Sequence, residues 1–142
     1  MKDIDDVSGD VVDVAMRLHR ELGPGLLESV YEVVLAKKLA SIGYSVDRQK
    51  SVDFEFEGMK FEGAFRVDLV VDGRLLVEIK SVERLNLAHR KQLLTYLRLT
   101  KMHVGLLMNF GGATLKEGLH RVVNDYKPSA SPRLRVNQKE KH

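Results

Sequence analysis

Phe65-Arg66-Val67-Asp68-Leu69-Val70-Val71-Asp72-Gly73-Arg74-Leu75-Leu76-Val77-Glu78-Ile79-Lys80 is the stretch whose reading decides the fold. Asp72-Gly73 is a strong hairpin signal, and it separates two runs, Phe65 to Val71 and Arg74 to Lys80. Both runs are apolar at nearly every position, as expected of interior strands covered on both faces. Besides Arg66 and Arg74 at or near their starts, three charges interrupt them: Asp68, Glu78 and Lys80. A carboxylate inside an apolar strand is costly unless it is paired, hydrogen-bonded or metal-bound. Glu78 and Lys80 are two apart, so their side chains share one face of a strand while Ile79 points away.

Register ties Asp68 to this pair. A two-residue turn at Asp72-Gly73 would pair Val71 with Arg74 and leave Asp68 and Glu78 on opposite faces. A three-residue loop, or one bulge, brings Asp68, Glu78 and Lys80 to the same face. The sequence therefore predicts an odd loop or a bulge in this hairpin if the three residues act together.

Outward from the hairpin, Ser51 to Glu57 alternates, with Val52, Phe54 and Phe56 on one side, and reads as a further strand. Upstream lie two helices. Ser8 is the expected cap of the first, which runs to about Leu22 with Val11, Val14, Ala15, Leu18 and Leu22 as its apolar stripe. Gly23-Pro24-Gly25 breaks it. The second starts near Leu26, carries Leu27, Val30, Tyr31, Val34, Leu35 and Leu39, and stops at Gly43. Downstream, Asn86 is expected to cap a long helix to about Lys101. His103 to Met108 reads as a short strand, and Thr114 to Arg121 as a last short helix. The order implies a mixed α/β layer structure with helices packed on a central sheet.

The chain of 142 residues suits one domain, expected over residues 1–126, followed by a flexible basic tail over 127–142. It has no cysteine, which excludes a disulfide framework, a thiol nucleophile and Cys-ligated metal. The acidic start and the lack of a long apolar run predict a soluble, cytoplasmic protein with no membrane partner. The formal charge of +3 sits mostly in the tail, whose five Lys/Arg face one Glu; the rest holds 18 basic and 19 acidic residues. A nucleic-acid partner must then be met by a local patch or by the tail.

Two acids and a lysine at a sheet end suit phosphodiester hydrolysis. That reaction needs a positioned water, a means of deprotonating it, and positive charge opposite the developing phosphorane. Mg²⁺ supplies much of this when held by a couple of carboxylates and waters. Spacing alone is matched equally well by a buried Glu78–Lys80 or Asp68–Lys80 ion pair that only fixes the fold. Gln92 and Tyr96, four apart, share a helix face, with His89 on the same side. With Arg84, Arg90, Lys91, Arg98 and Lys101 this helix is the most basic segment before the tail and suits phosphate contacts. An ordinary amphipathic helix with solvated charges fits the same pattern. On the second helix Glu28 and Tyr31 are neighbours. With Gly25 as cap, Glu28 stands at the third helical position, where a carboxylate reaches back to the cap amide; alternatively it completes a metal site. His19, His103, His120 and His142 lack metal-ligand spacing and read as surface or capping residues, and Asp3, Asp5 and Asp6 read as a solvated acidic run.

Leu22-Gly23-Pro24-Gly25-Leu26-Leu27-Glu28-Ser29-Val30-Tyr31-Glu32 resembles the signature of the GxxExxY proteins. Asp68, Glu78-Ile79-Lys80, His89, Gln92, Tyr96 and the Leu107-Met108-Asn109-Phe110-Gly111 stretch are similar to that family in order and spacing. The likeness spans roughly Val11 to Val123. The family is placed among PD-(D/E)XK nuclease-like proteins, so the resemblance implies a restriction-endonuclease-like αβββαβ core with an extra N-terminal helix. It implies Asp68, Glu78 and Glu28 as ligands of Mg²⁺ or Mn²⁺, Lys80 as the catalytic lysine, and Gln92 as a further catalytic residue. Tyr31, His89, Arg90 and Tyr96 are the expected substrate contacts. Val67 stands where the superfamily name has Pro. The expected activity is a metal-dependent nuclease acting on nucleic acid, DNA in preference to RNA. The alternative is a nuclease fold that has lost turnover and binds nucleic acid or a protein partner. Oligomeric state is open.

Overall fold

The structure is a computed structural model that describes residues 2–125; the tail expected over 127–142 lies outside them. Its elements are α1 (Ile4–Leu22), α2 (Glu28–Ser41), β1 (Val46–Phe56), β2 (Met59–Val71), β3 (Leu75–Lys80), α3 (Leu87–Thr100), β4 (Val104–Asn109), a 3-10 turn (Lys116–Gly118) and β5 (Leu119–Val123). The five strands form one sheet in sequence order. All neighbours are antiparallel except β3 and β4, which run parallel with α3 as their crossover.

Side-chain alternation gives the sheet two apolar faces. Leu75, Val77 and Ile79 of β3, with Val104, Leu106 and Met108 of β4, pack against Val7, Val11, Ala15 and Leu18 of α1 and Tyr31, Leu35 and Leu39 of α2. Val70, Leu76, Leu107 and Val122 face Leu93 and Leu97 of α3. Leu22, expected in the α1 stripe, is 43% exposed, because the break at Gly23 carries it past the covered surface.

The β2–β3 loop has three residues, since Val71 pairs with Leu75. Asp72 and Gly73 both take positive φ, 53° and 65°. The odd loop expected from register is therefore present. It places Asp68 across from Glu78, one step beyond the last paired residues, Leu69 and Val77. A second irregularity sits at Asp68 itself. Val67 packs with the α3 cluster and Leu69 with the α1–α2 cluster, although regular alternation would put them on one side. Opposite, Gln49 has a φ of 51°. From Val67 outward to Met59, β2 pairs only with β1, so the β1–β2 ribbon projects past the sheet.

Three local expectations are corrected. The cap of α1 is Asp3, whose carboxylate accepts from the Asp5 amide, and the helix begins at Ile4 rather than Ser8. Ser8 is buried inside it. The expected helix over Thr114 to Arg121 is one 3-10 turn followed by β5, which pairs antiparallel with β4. Asp5 is not solvated: it is buried in an ion pair with Arg121.

Candidate active site

The site grows out of the place where the β2–β3 ladder stops. Beyond Leu69 and Val77 the two strands no longer exchange backbone bonds, and two amides would be left unsatisfied there. Carboxylates take them up. The Ile79 amide donates to Asp68 Oδ2 at 2.7 Å, and the Asp68 amide donates to Glu78 Oε1 at 3.2 Å. Each acid thus reaches across to the other's strand. Glu78 is buried and Asp68 half-buried.

Burial pushes the Glu78 carboxyl up to about 8, the negative charge of Asp68 adds to the rise, and the Lys80 ammonium works against it. Tyr96 on α3 is drawn into the same field. Its phenol is raised by burial first, then by the charges of Glu78 and Asp68. Its ring stacks on Phe65 of β2, centroids 4.1 Å apart. Asp68, Glu78, Lys80 and Tyr96 therefore meet at one end of the sheet. Gln92 is exposed one helical turn before Tyr96.

Other expected site residues are placed elsewhere. Tyr31, an expected substrate contact, is wholly buried and stacks on Phe110 at 4.4 Å. Its hydroxyl donates to the Gly23 carbonyl at 2.6 Å and accepts from the Leu26 amide, which fixes the Gly-Pro-Gly break. Because that loop is pinned, Leu27 is the cap of α2 and Glu28 its first residue, not its third. Glu28 accepts from the Ser81 amide at 3.3 Å, while Ser81 Oγ donates to the Leu26 carbonyl. It ties down the chain just past Lys80. It does not join Asp68 and Glu78, and among the described residues no group of three or more His, Asp or Glu side chains could hold a metal ion. His89 closes the capping box of α3: its Nδ1 accepts from the Asn86 amide, and Asn86 Oδ1 accepts from the His89 amide. Arg90 is half-buried on the same first turn of the helix.

Sequence reading missed a network behind Asp68. Gln49 Nε2 donates to Glu32 Oε1 at 2.6 Å and to Asp68 Oδ1 at 3.2 Å. Arg48 pairs with buried Glu32 at 3.0 Å. The signal available was Glu32, a charge on the apolar side of α2 one residue after Tyr31. Asn109 was missed as a clamp. Its side chain accepts from the Val82 and Gly111 amides and donates to the Val82 carbonyl, holding the loop after Lys80. His19, expected as a surface or capping residue, is buried with Nε2 between the carbonyls of Phe110 and Gly112.

Two carboxyl groups forced together at a buried sheet end are hard oxygen donors, and burial keeps a proton on Glu78 up to about pH 8. That donor set fits a divalent cation, which would take the place of the Glu78 proton. Together with the five-stranded mixed sheet and its flanking helices, it defines the class of a restriction-endonuclease-like α/β protein. The family model of the PD-(D/E)XK nuclease superfamily matches residues 5–122, and the chain belongs to that superfamily. Its members generally use divalent metals and act on nucleic acid. Comparisons with curated proteins and with solved structures gave no match. No helix among the described residues is long and apolar enough to cross a membrane.

Proposed function

We propose that this chain is a divalent-metal-dependent nuclease, of the GxxExxY kind, that hydrolyses phosphodiester bonds in DNA in preference to RNA. The observation that carries the reading is the crossed pair of hydrogen bonds by which Asp68 and Glu78 are held side by side. In this reading the two carboxylates would hold Mg²⁺ or Mn²⁺, which would supply Lewis acidity and positive charge for water activation and for the phosphorane. Lys80 holds the attacked phosphate or the water from the same strand end. Gln92, Tyr96 and Arg90 contact the nucleic acid from α3. Glu28 acts indirectly, by fixing Ser81 and the loop after Lys80.

The test is cleavage of labelled single- and double-stranded DNA and RNA, with Mg²⁺, with Mn²⁺ and with EDTA. The expected outcome is metal-dependent cleavage of DNA that falls by about 100-fold or more in Asp68→Asn and in Lys80→Ala, since each removes a group acting at the reacting phosphate. Cleavage that persists in purified Asp68→Asn and Lys80→Ala protein would sink the assignment.

A further inference from the structure

The β1–β2 ribbon is longer than the fold needs. Cross-strand partners Val52 and Phe65, Phe54 and Phe61, and Phe56 and Met59 line one side of it. At the base, Val52 and Phe65 pack with the α3 cluster, and Phe65 stacks on Tyr96. Farther out, Phe54 and Phe61 stack with centroids 5.0 Å apart. At the tip Phe56 is 56%, Met59 52% and Phe61 42% exposed. Two stacked ring pairs thus lie along the ribbon, Phe65–Tyr96 at its base and Phe54–Phe61 farther out, on either side of a register shift between Val52 and Phe54. Charges keep to the other side: Glu55 is the cross-strand partner of Lys60, and Asp53 accepts from the Gly63 amide. Clustered exposed apolar side chains of this kind often mark a binding surface.

We infer that this aromatic side of the ribbon is a base-stacking platform for an unpaired nucleic-acid strand whose phosphate enters the Asp68–Glu78 site. The inference rests on the proposed nuclease reading and names its substrate class as single-stranded. An uncharged apolar face offers nothing to a duplex, which presents phosphates outward with its bases already stacked. An unpaired strand presents ring faces, and every base can stack on Phe or Tyr whatever its identity.

The chain has no tryptophan, so Phe56→Trp gives a single reporter at the tip. In EDTA, an oligothymidylate of about 15 nucleotides is expected to quench its fluorescence, and a duplex of equal length is not. The double variant Phe56→Ala/Phe61→Ala, checked for an unchanged far-ultraviolet spectrum, is expected to bind the labelled oligothymidylate about tenfold more weakly by anisotropy. No quenching, equal quenching by duplex, or unchanged affinity overturns the inference. So does loss of a concentration-dependent dimer with oligothymidylate affinity intact, which assigns the stripe to a second copy of the chain. Binding is read without turnover, so the two readings fail separately. Quenching without cleavage sinks the nuclease, and cleavage without quenching sinks the platform.

Discussion

Glu78 holds a proton that an ordinary carboxylate would have lost. In the unfolded chain it titrates near 4.5; in the fold burial and the neighbouring Asp68 push it to about 8. A raised acid favours the fold while it is protonated. Its contribution is complete below 4.5 and is lost as pH rises through 8. Metal-free protein is therefore expected to be less stable at about pH 9 than at about pH 6, by at least about 1 kcal/mol, or about 3 °C in Tm. Glu78→Gln keeps the shape and removes the titration, so it is expected to flatten the difference. Thermal melts in EDTA at the two pH values check this. An equal pH dependence in both proteins would show that another group is responsible. The same proton links to cation affinity, which should climb with pH over this window.

At this scale the sequence was partly readable. Asp68, Glu78 and Lys80 stood out because a charge in an apolar run needs a reason. Gln49 did not, because a polar residue in an exposed strand needs none. Only its left-handed backbone, φ 51°, and its two carboxylate contacts reveal its post. Tyr31 was visible, but its burial was not, since a motif does not say whether a ring is aimed at a substrate or into the core.

Among the elements, the loop after Lys80 is the most constrained. A Cβ placed on Gly111 would stand 2.2 Å from the Val82 carbonyl oxygen, well inside contact distance. The obstacle is backbone already held by Asn109, so it cannot swing aside. Gly111→Ala is expected to cost about 2 kcal/mol of stability as an overpacked contact, and to move the segment that follows Lys80. Urea denaturation gives the first effect, and cleavage rates give the second. A loss under about 0.5 kcal/mol would mean that the loop adapts freely. Elements with local signals were legible: the Asn86 cap, the Gly-Pro-Gly break and the odd turn at Asp72-Gly73. Strand β5 was not. Its apolar residues cover both sheet faces, Leu119 and Val123 on one and Val122 on the other, which erases period-two alternation. Its partner β4 is brought alongside only by the tertiary fold. The cap of α1 was misplaced for a related reason. Ser8 has good capping chemistry, but Asp3 has it too, and Val7 and Asp5 are needed in the buried face.

For the molecule as a whole, both covered sides of the sheet were foreseeable from the double-sided apolar strands, and the matched superfamily spans residues 5–122. The joint between the first helix and the last strand was not. Asp5 and Arg121 are both buried and paired, and nothing local in either segment announces the other. Removing one partner takes this ion pair from a charge that stays in the interior. Arg121→Met is expected to destabilise the protein by about 3–5 kcal/mol, and Asp5→Leu/Arg121→Met to recover much of that loss. Chemical denaturation of the three proteins is the measurement, and a double variant no better than Arg121→Met would rule out an uncompensated charge as the cause.

That joint also sets an order of events on the ribosome. Asp5 leaves the exit tunnel early, and the guanidinium that neutralises it follows 116 residues later. Until then α1 has no complete bed, because β4 and β5 supply Val104, Leu106, Met108 and Val123 of the cluster it packs against. The growing chain must therefore wait with its first helix uncommitted, and final closure is a late event in synthesis. Chains halted before residue 121 should remain sensitive to protease at α1, whereas chains released beyond β5 should not.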